Sequence, residues 1–121
     1  MNLSDLRIYN IANEISDEIW KLVDKWDYFT KDTIGKQFVR SADSISSNIA
    51  EGYGRYHFKE NKNFLYYSRG SAYESLDWLQ KANRRNLISL NNAESLKARI
   101  EDLIIKLNAY IKSIGKKSND H

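Results

Sequence analysis

Apolar residues return every three or four positions over four long stretches of this chain, and short polar breaks separate the stretches. In the first, Ile8, Ile15, Ile19, Leu22 and Trp26 form one stripe, with Tyr9, Ala12, Trp20 and Val23 on a second stripe beside it. That spacing predicts a helix over residues 5–26 with Ser4 as its cap. Residues 27–32 read as a short polar connection. A second helix is predicted over 33–53, with Ile34, Phe38, Ala42, Ile45 and Ile49 facing inward. Gly52 or Gly54 is expected to supply the left-handed residue that closes it. The third helix, over 58–85, turns Leu65, Ser68, Ala72, Leu76 (or Ser75), Leu79 and Ala82 inward and is roughly 40 Å long at ~1.5 Å per residue. The fourth, over 92–114, shows Leu96, Ile100, Leu103, Leu107, Tyr110 and Ile114, flanked by Ile104, Ile105 and Ile111. Ser89, Asn91 and Asn92 supply the break and cap before it. Residues 116–121 read as a flexible polar tail.

Short connections force neighbouring helices antiparallel. The expected fold is therefore all-α, an antiparallel up-down-up-down four-helix bundle in a single domain spanning residues 1–121. Composition agrees, since 121 residues suffice for one core and the chain has no proline and only five glycines. The absence of cysteine excludes disulfides, thiolate nucleophiles and zinc–thiolate sites. Apolar runs are too short for a membrane span, and the first residues lack a signal pattern, so a cytoplasmic protein is expected.

The apolar stripes are wider than one bundle needs. Tyr9 with Trp20, Ile104 with Ile111, and Tyr66 with Tyr73 lie off the main stripes. Scattered exposed apolar residues are ordinary, but paired stripes mark contact surfaces, so self-association into a homo-oligomer is expected.

The second and third helices are lined with small residues where leucines would bury more area. Ser44, Gly70 and Ser71 are predicted to allow close helix packing. Asn48, Glu51 and Glu74 lie on or beside these small stripes, and a carboxylate sunk there needs a cation or a hydrogen-bond donor. Arg40, Arg55 and Arg69 are the available partners. The expected role is a structural polar network or a salt bridge between subunits. Catalytic devices are not visible. Ser41, Ser44, Ser46 and Ser47 have no histidine or lysine spaced to activate them. A di-iron bundle needs two Glu-x-x-His pairs, whereas this chain has only His57 and His121 and neither fits. Gly52-x-Gly54 follows no strand and lacks a third glycine, so it is not a phosphate loop. No enzymatic activity, metal, cofactor or small-molecule substrate is expected.

Net charge is +3, unevenly spread. Residues 1–34 hold four basic and seven acidic side chains, 35–89 nine and five, and 90–121 six and four. In an antiparallel bundle one end collects Arg7, Arg55, Lys59, Lys62, Lys112, Lys116 and Lys117 against Asp5, Glu60 and Asp120. Tyr53, Tyr56 and Phe58 sit among them and could stack on unpaired bases. Cations also suit helix C-termini, at ~0.3–1 kcal/mol each. Contact with RNA or a ribonucleoprotein through this basic end is the leading expectation, and a pure protein-interaction scaffold is the alternative.

The run Gln37-Phe38-x-Arg40-Ser41-Ala42-x-Ser44-Ile45-x-x-Asn48-Ile49-Ala50-Glu51-Gly52-x-Gly54-Arg55, followed by Gly70-Ser71-x-x-Glu74, closely resembles a known family. These are the four-helix-bundle proteins encoded in intervening sequences of bacterial 23S ribosomal RNA genes. More distantly, the chain is similar to the accessory variability determinant of diversity-generating retroelements. Asn48, Glu51, Gly52, Arg55, Gly70, Ser71 and Glu74 match the family pattern, while Ser46 stands where a proline is common. The resemblance implies a bundle that assembles as a ring, a homopentamer. It further implies, through the retroelement relatives, basic accessory factors that bind a nucleic-acid enzyme and nucleic acid. It carries no established activity for the ribosomal members.

Overall fold

The computed structural model describes residues 2–115. The expected tail over 116–121, with Lys116, Lys117 and Asp120, lies outside the described residues. Among the described residues the chain forms four long helices, α1 (Arg7–Asp24), α2 (Lys36–Tyr53), α3 (Phe58–Arg84) and α4 (Leu90–Ser113), and no strand. Each helix packs against its two neighbours around a square, as short connections require. The architecture is the expected all-α four-helix bundle. Among the described residues no helix is long and apolar enough to cross a membrane.

One core runs through the bundle. Its fully enclosed large side chains are Ile15, Ile19, Phe38, Ile45, Ile49, Leu65, Leu96, Ile100, Leu103 and Leu107, drawn from all four helices. These are the positions that 3.6-residue periodicity selects.

Helix ends depart from the sequence reading more than helix bodies do. The chain enters through a single 3₁₀ turn, Leu3–Asp5, which takes up Ser4. Extended Leu6 then precedes α1, so no side chain caps it. Residues 27–32 are not a polar connection. Asp27 Oδ1 accepts from the Thr30 amide at 2.8 Å and starts a helical turn at Tyr28–Thr30. That bond, together with the Thr30 side chain, holds the Asp27 carboxyl below its ordinary range. A π-helical segment, Lys31–Gly35, then runs directly into α2. Ser89 caps α4 as expected, its hydroxyl accepting from the Asn92 amide at 3.1 Å.

Neither Gly52 nor Gly54 closes α2 in the left-handed region, since α2 continues through Gly52 and Gly54 has φ −77°. The left-handed closure belongs to Asn86 (φ 58°), which ends α3. There the amides of Leu87 and Asn86 bond back to the carbonyls of Ala82 and Asn83 at 2.9 and 3.1 Å. Gly52 serves packing instead. A Cβ there would lie 2.8 Å from Asn61 Oδ1 and 2.9 Å from Phe64 Cβ, so the glycine lets α2 and α3 close together.

Polar contacts tie every seam of the square. Ser16 donates to Asp43 between α1 and α2. Between α2 and α3, Ser68 donates to the Ile45 carbonyl at 2.7 Å and Ser75 to the Ser41 hydroxyl at 3.0 Å. Arg69 donates to Asn108 Oδ1 at 2.7 Å between α3 and α4, and Arg99 pairs with Glu18 between α4 and α1. Apolar burial is not directional, whereas each of these bonds exists in one register only.

Candidate nucleic-acid interface

The start of α1, the end of α2, the start of α3 and the end of α4 meet at one end of the bundle. Contact between Gly115, just past α4, and Phe58, the first residue of α3, closes this end. Gly115 is left-handed (φ 74°), and its missing side chain lets the chain lie on the Phe58 ring.

Arg7, Lys59 and Lys112 are exposed and Lys62 is half-buried, all at this end. None of the four has an ion-pair partner among the described residues. Arg55 differs. It pairs with Glu51 one turn back and approaches Glu60 at 3.8 Å, while its guanidinium lies 4.9 Å from the centre of the Phe64 ring. Much of its charge is thus answered within the chain. Asp5 is engaged by the Asn2 amide at 2.7 Å.

Tyr56 is 92% exposed, its ring meeting His57 edge-on at 5.0 Å, and Phe58 is half exposed. Both present ring surface beside the cations. Tyr53 is half-buried and packs on the core. Burial, with Tyr53 nearby, pushes the Tyr110 hydroxyl above the usual phenol range, so that phenol stays neutral at pH 7.

The polar residues of the motif are spread out. Asn48 donates to the Ser44 carbonyl at 2.8 Å within α2, and Glu51 bonds Arg55, two residues past the end of that helix. Glu74 accepts from the Trp78 indole at 3.1 Å within α3. Both carboxylates are exposed, so within one chain no network joins Asn48, Glu51 and Glu74. Arg40 and Arg69 also make no ion pair among the described residues, and the Arg69 guanidinium lies 5.0 Å from the centre of the Tyr66 ring. Close packing of α2 on α3 runs through Ser41, Gly52, Ser68 and Ser75. It does not run through Gly70, where an added Cβ would meet nothing within 4 Å. Ser44 and Ser71 are half-buried at the margin of that seam. The helical period explains the shift, because Ser68, Ala72 and Ser75 share the inward face and Gly70 points away from it.

Of the surplus apolar positions, Ile104 and Ile111 belong to the core of the single chain, at 6% and 5% exposure. Tyr9 is half-buried against the core, whereas Trp20, Tyr66 and Tyr73 stay on the surface, as does Ile105 of the α4 flank. Residue order carries little signal for the inter-helix ties or the π-helical entry to α2. What signal there is lies in the serines on inward faces and in a glycine two residues past Thr33.

Comparison with known proteins agrees with the fold. No curated protein matches the chain. A solved structure from Bacteroides thetaiotaomicron, a protein of unknown function from the S23 ribosomal protein family, superposes with a TM-score of 0.78. It shares 23% identity over 88% of this chain and 99% of that one, which shows a common fold. Residues 4–109 match the family model described as 23S rRNA-intervening sequence protein. That match takes in all of α1, α2 and α3 and most of α4, and on it the chain belongs to the 23S rRNA-intervening sequence protein family.

Proposed function

We propose that this protein is a non-enzymatic bundle that contacts RNA, alone or in a ribonucleoprotein, through its basic end. One observation carries the reading: Arg7, Lys59, Lys62 and Lys112, without ion-pair partners among the described residues, share one end of the bundle with exposed Tyr56 and Phe58. Unpaired cations release counterions on meeting phosphates, and neighbouring rings accept unstacked bases. The resemblance to retroelement accessory factors points the same way, and a pentameric ring would repeat the patch around one face. The functional unit is then the oligomer.

A second reading, a protein-interaction scaffold without nucleic-acid contact, draws on the surface aromatics of α3, Tyr66, Tyr67 and Tyr73. Binding of labelled single-stranded RNA across a salt series separates the two. Four phosphate contacts predict a slope of log affinity on log salt near −3, at about 0.7 per contact on a single strand. The variant K59Q/K62Q/K112Q should flatten that slope to about −1, with light scattering showing its assembly unchanged. Failure to retain RNA even at low salt overturns the RNA reading in favour of the scaffold.

A further inference from the structure

A recess of about 330 Å³ opens beside the π-helical entry to α2, at the end of the bundle away from the basic patch. Its floor and wall are Val23, Gly35, Val39 and Trp20, and its rim carries Lys31, Lys36 and Arg40 together with the acidic Asp24. The backbone makes this grouping. In an α-helix, residues five apart point to different faces. Here the Lys36 amide bonds back to the Lys31 carbonyl in an i→i+5 turn, which brings both lysines to one side. Ordinary α-helical spacing then carries Lys36 to Arg40, four residues on.

Gly35 permits the wide turn. A Cβ there would lie 2.8 Å from Val23 Cγ1 and 3.1 Å from the Thr30 carbonyl oxygen. The glycine therefore lies directly on α1 and leaves a flat apolar floor. Trp20 beside it is 59% exposed, so much of its surface is open to solvent.

The rim charges are unequal. Lys31 pairs with Asp24 at 3.6 Å and Lys36 with Asp32 at 3.1 Å, while Arg40 forms no ion pair among the described residues. One positive charge is left over above an apolar, aromatic-walled hollow. A neutral ring or an apolar peptide would leave Arg40 unanswered. A guanidinium matches phosphate with two parallel hydrogen bonds, and the volume lies at the small end of ligand sites, ~300–1,000 Å³.

We propose that this recess binds a nucleotide, with its base on Trp20 and the apolar floor and its phosphate on Arg40 and Lys36. The nucleotide is either free or one unit of a single strand. The site is separate from the basic end and does not depend on the reading given to that end.

The test titrates the full-length protein with adenosine 5′-monophosphate, adenosine and a short oligoadenylate. Readouts are tryptophan emission and calorimetry, on the parent chain and on W20F, W20A, R40Q and K59Q/K62Q/K112Q. The monophosphate should quench emission, and adenosine should bind roughly tenfold or more weakly than it does. R40Q should lose a similar factor with an unchanged melting temperature, since Arg40 is exposed. W20F should lose the quench but, because a phenyl ring still stacks, only part of the roughly 5- to 150-fold in affinity that W20A should lose by calorimetry. The basic-end variant should keep the response, which separates failure of this site from failure of the other. Arg40-dependent binding of the oligomer alone supports the site with a strand as its source, and binding of the monophosphate supports a free nucleotide. No response to either, or an equal response in R40Q, overturns the proposal. So does an emission shift driven by protein concentration alone, which would assign the recess to a neighbouring copy.

Discussion

Helix α3 has 27 residues and hides six side chains, of which only Leu65 and Leu79 are large. Helix α4 has 24 residues and hides seven, all leucine or isoleucine except Ala93. The two helices lie side by side and answer different demands. α4 drives folding by removing hydrocarbon from water, at about 25 cal/mol per Å² buried. α3 gives up that area for proximity. Its Ser68, Ala72 and Ser75 let α2 come near enough for a hydroxyl to reach the Ile45 carbonyl at 2.7 Å. The lesson is that one bundle can join its helices by volume on one side and by close backbone approach on the other.

Three substitutions test that contrast. The largest effect is expected in α4, where Leu103 is fully enclosed. Leu103→Ala should lower unfolding free energy by ~2–5 kcal/mol in a denaturant titration. A loss below ~1 kcal/mol would mean that α4 is not the apolar mainstay.

A paired experiment on the α2–α3 side comes next. Gly52→Ala places a methyl group 3.0 Å from the Asn61 carbonyl oxygen and should cost ~1–3 kcal/mol, despite the better helix propensity of alanine. Gly70→Ala meets open space and should stabilise the chain by ~0.5–1 kcal/mol. Opposite signs in thermal melts sharpen the contrast, and equal signs break it. A loss of assembly in Gly70→Ala alone, read by light scattering, would mean that a second copy packs where one chain leaves space.

The smallest change is expected from Glu51→Gln with Glu74→Gln. Both carboxylates are exposed and each bonds a residue four positions on along the chain, so the pair should shift stability by no more than ~1 kcal/mol. A larger loss would restore a network between helices. Unchanged stability with weakened assembly would assign these carboxylates to a contact between subunits.

The basic end is legible in residue order, because chain order and short connections alone decide which termini meet. Which of its cations remain available is not. Arg55 and Lys59 look alike in sequence, and only folding sets Arg55 between Glu51 and Glu60 while leaving Lys59 without a partner among the described residues. The motif misleads about packing for a related reason. Gly70 and Gly52 are equally small, but one faces solvent and the other faces Phe64.

Helix number, helix faces, the all-α class and family membership can all be read from residue order, since periodicity and a contiguous motif are local properties of the chain. The entry to α2 cannot. Its i→i+5 turn lies where Gly35 meets Val23 of α1, a contact that exists only once α1 and α2 are packed together. The same holds for the ties Ser16–Asp43, Arg69–Asn108 and Arg99–Glu18. Local propensity places a side chain on a face of its helix. Only the packing of one helix on another decides what that face touches, and with it which charges, rings and hollows remain for a partner.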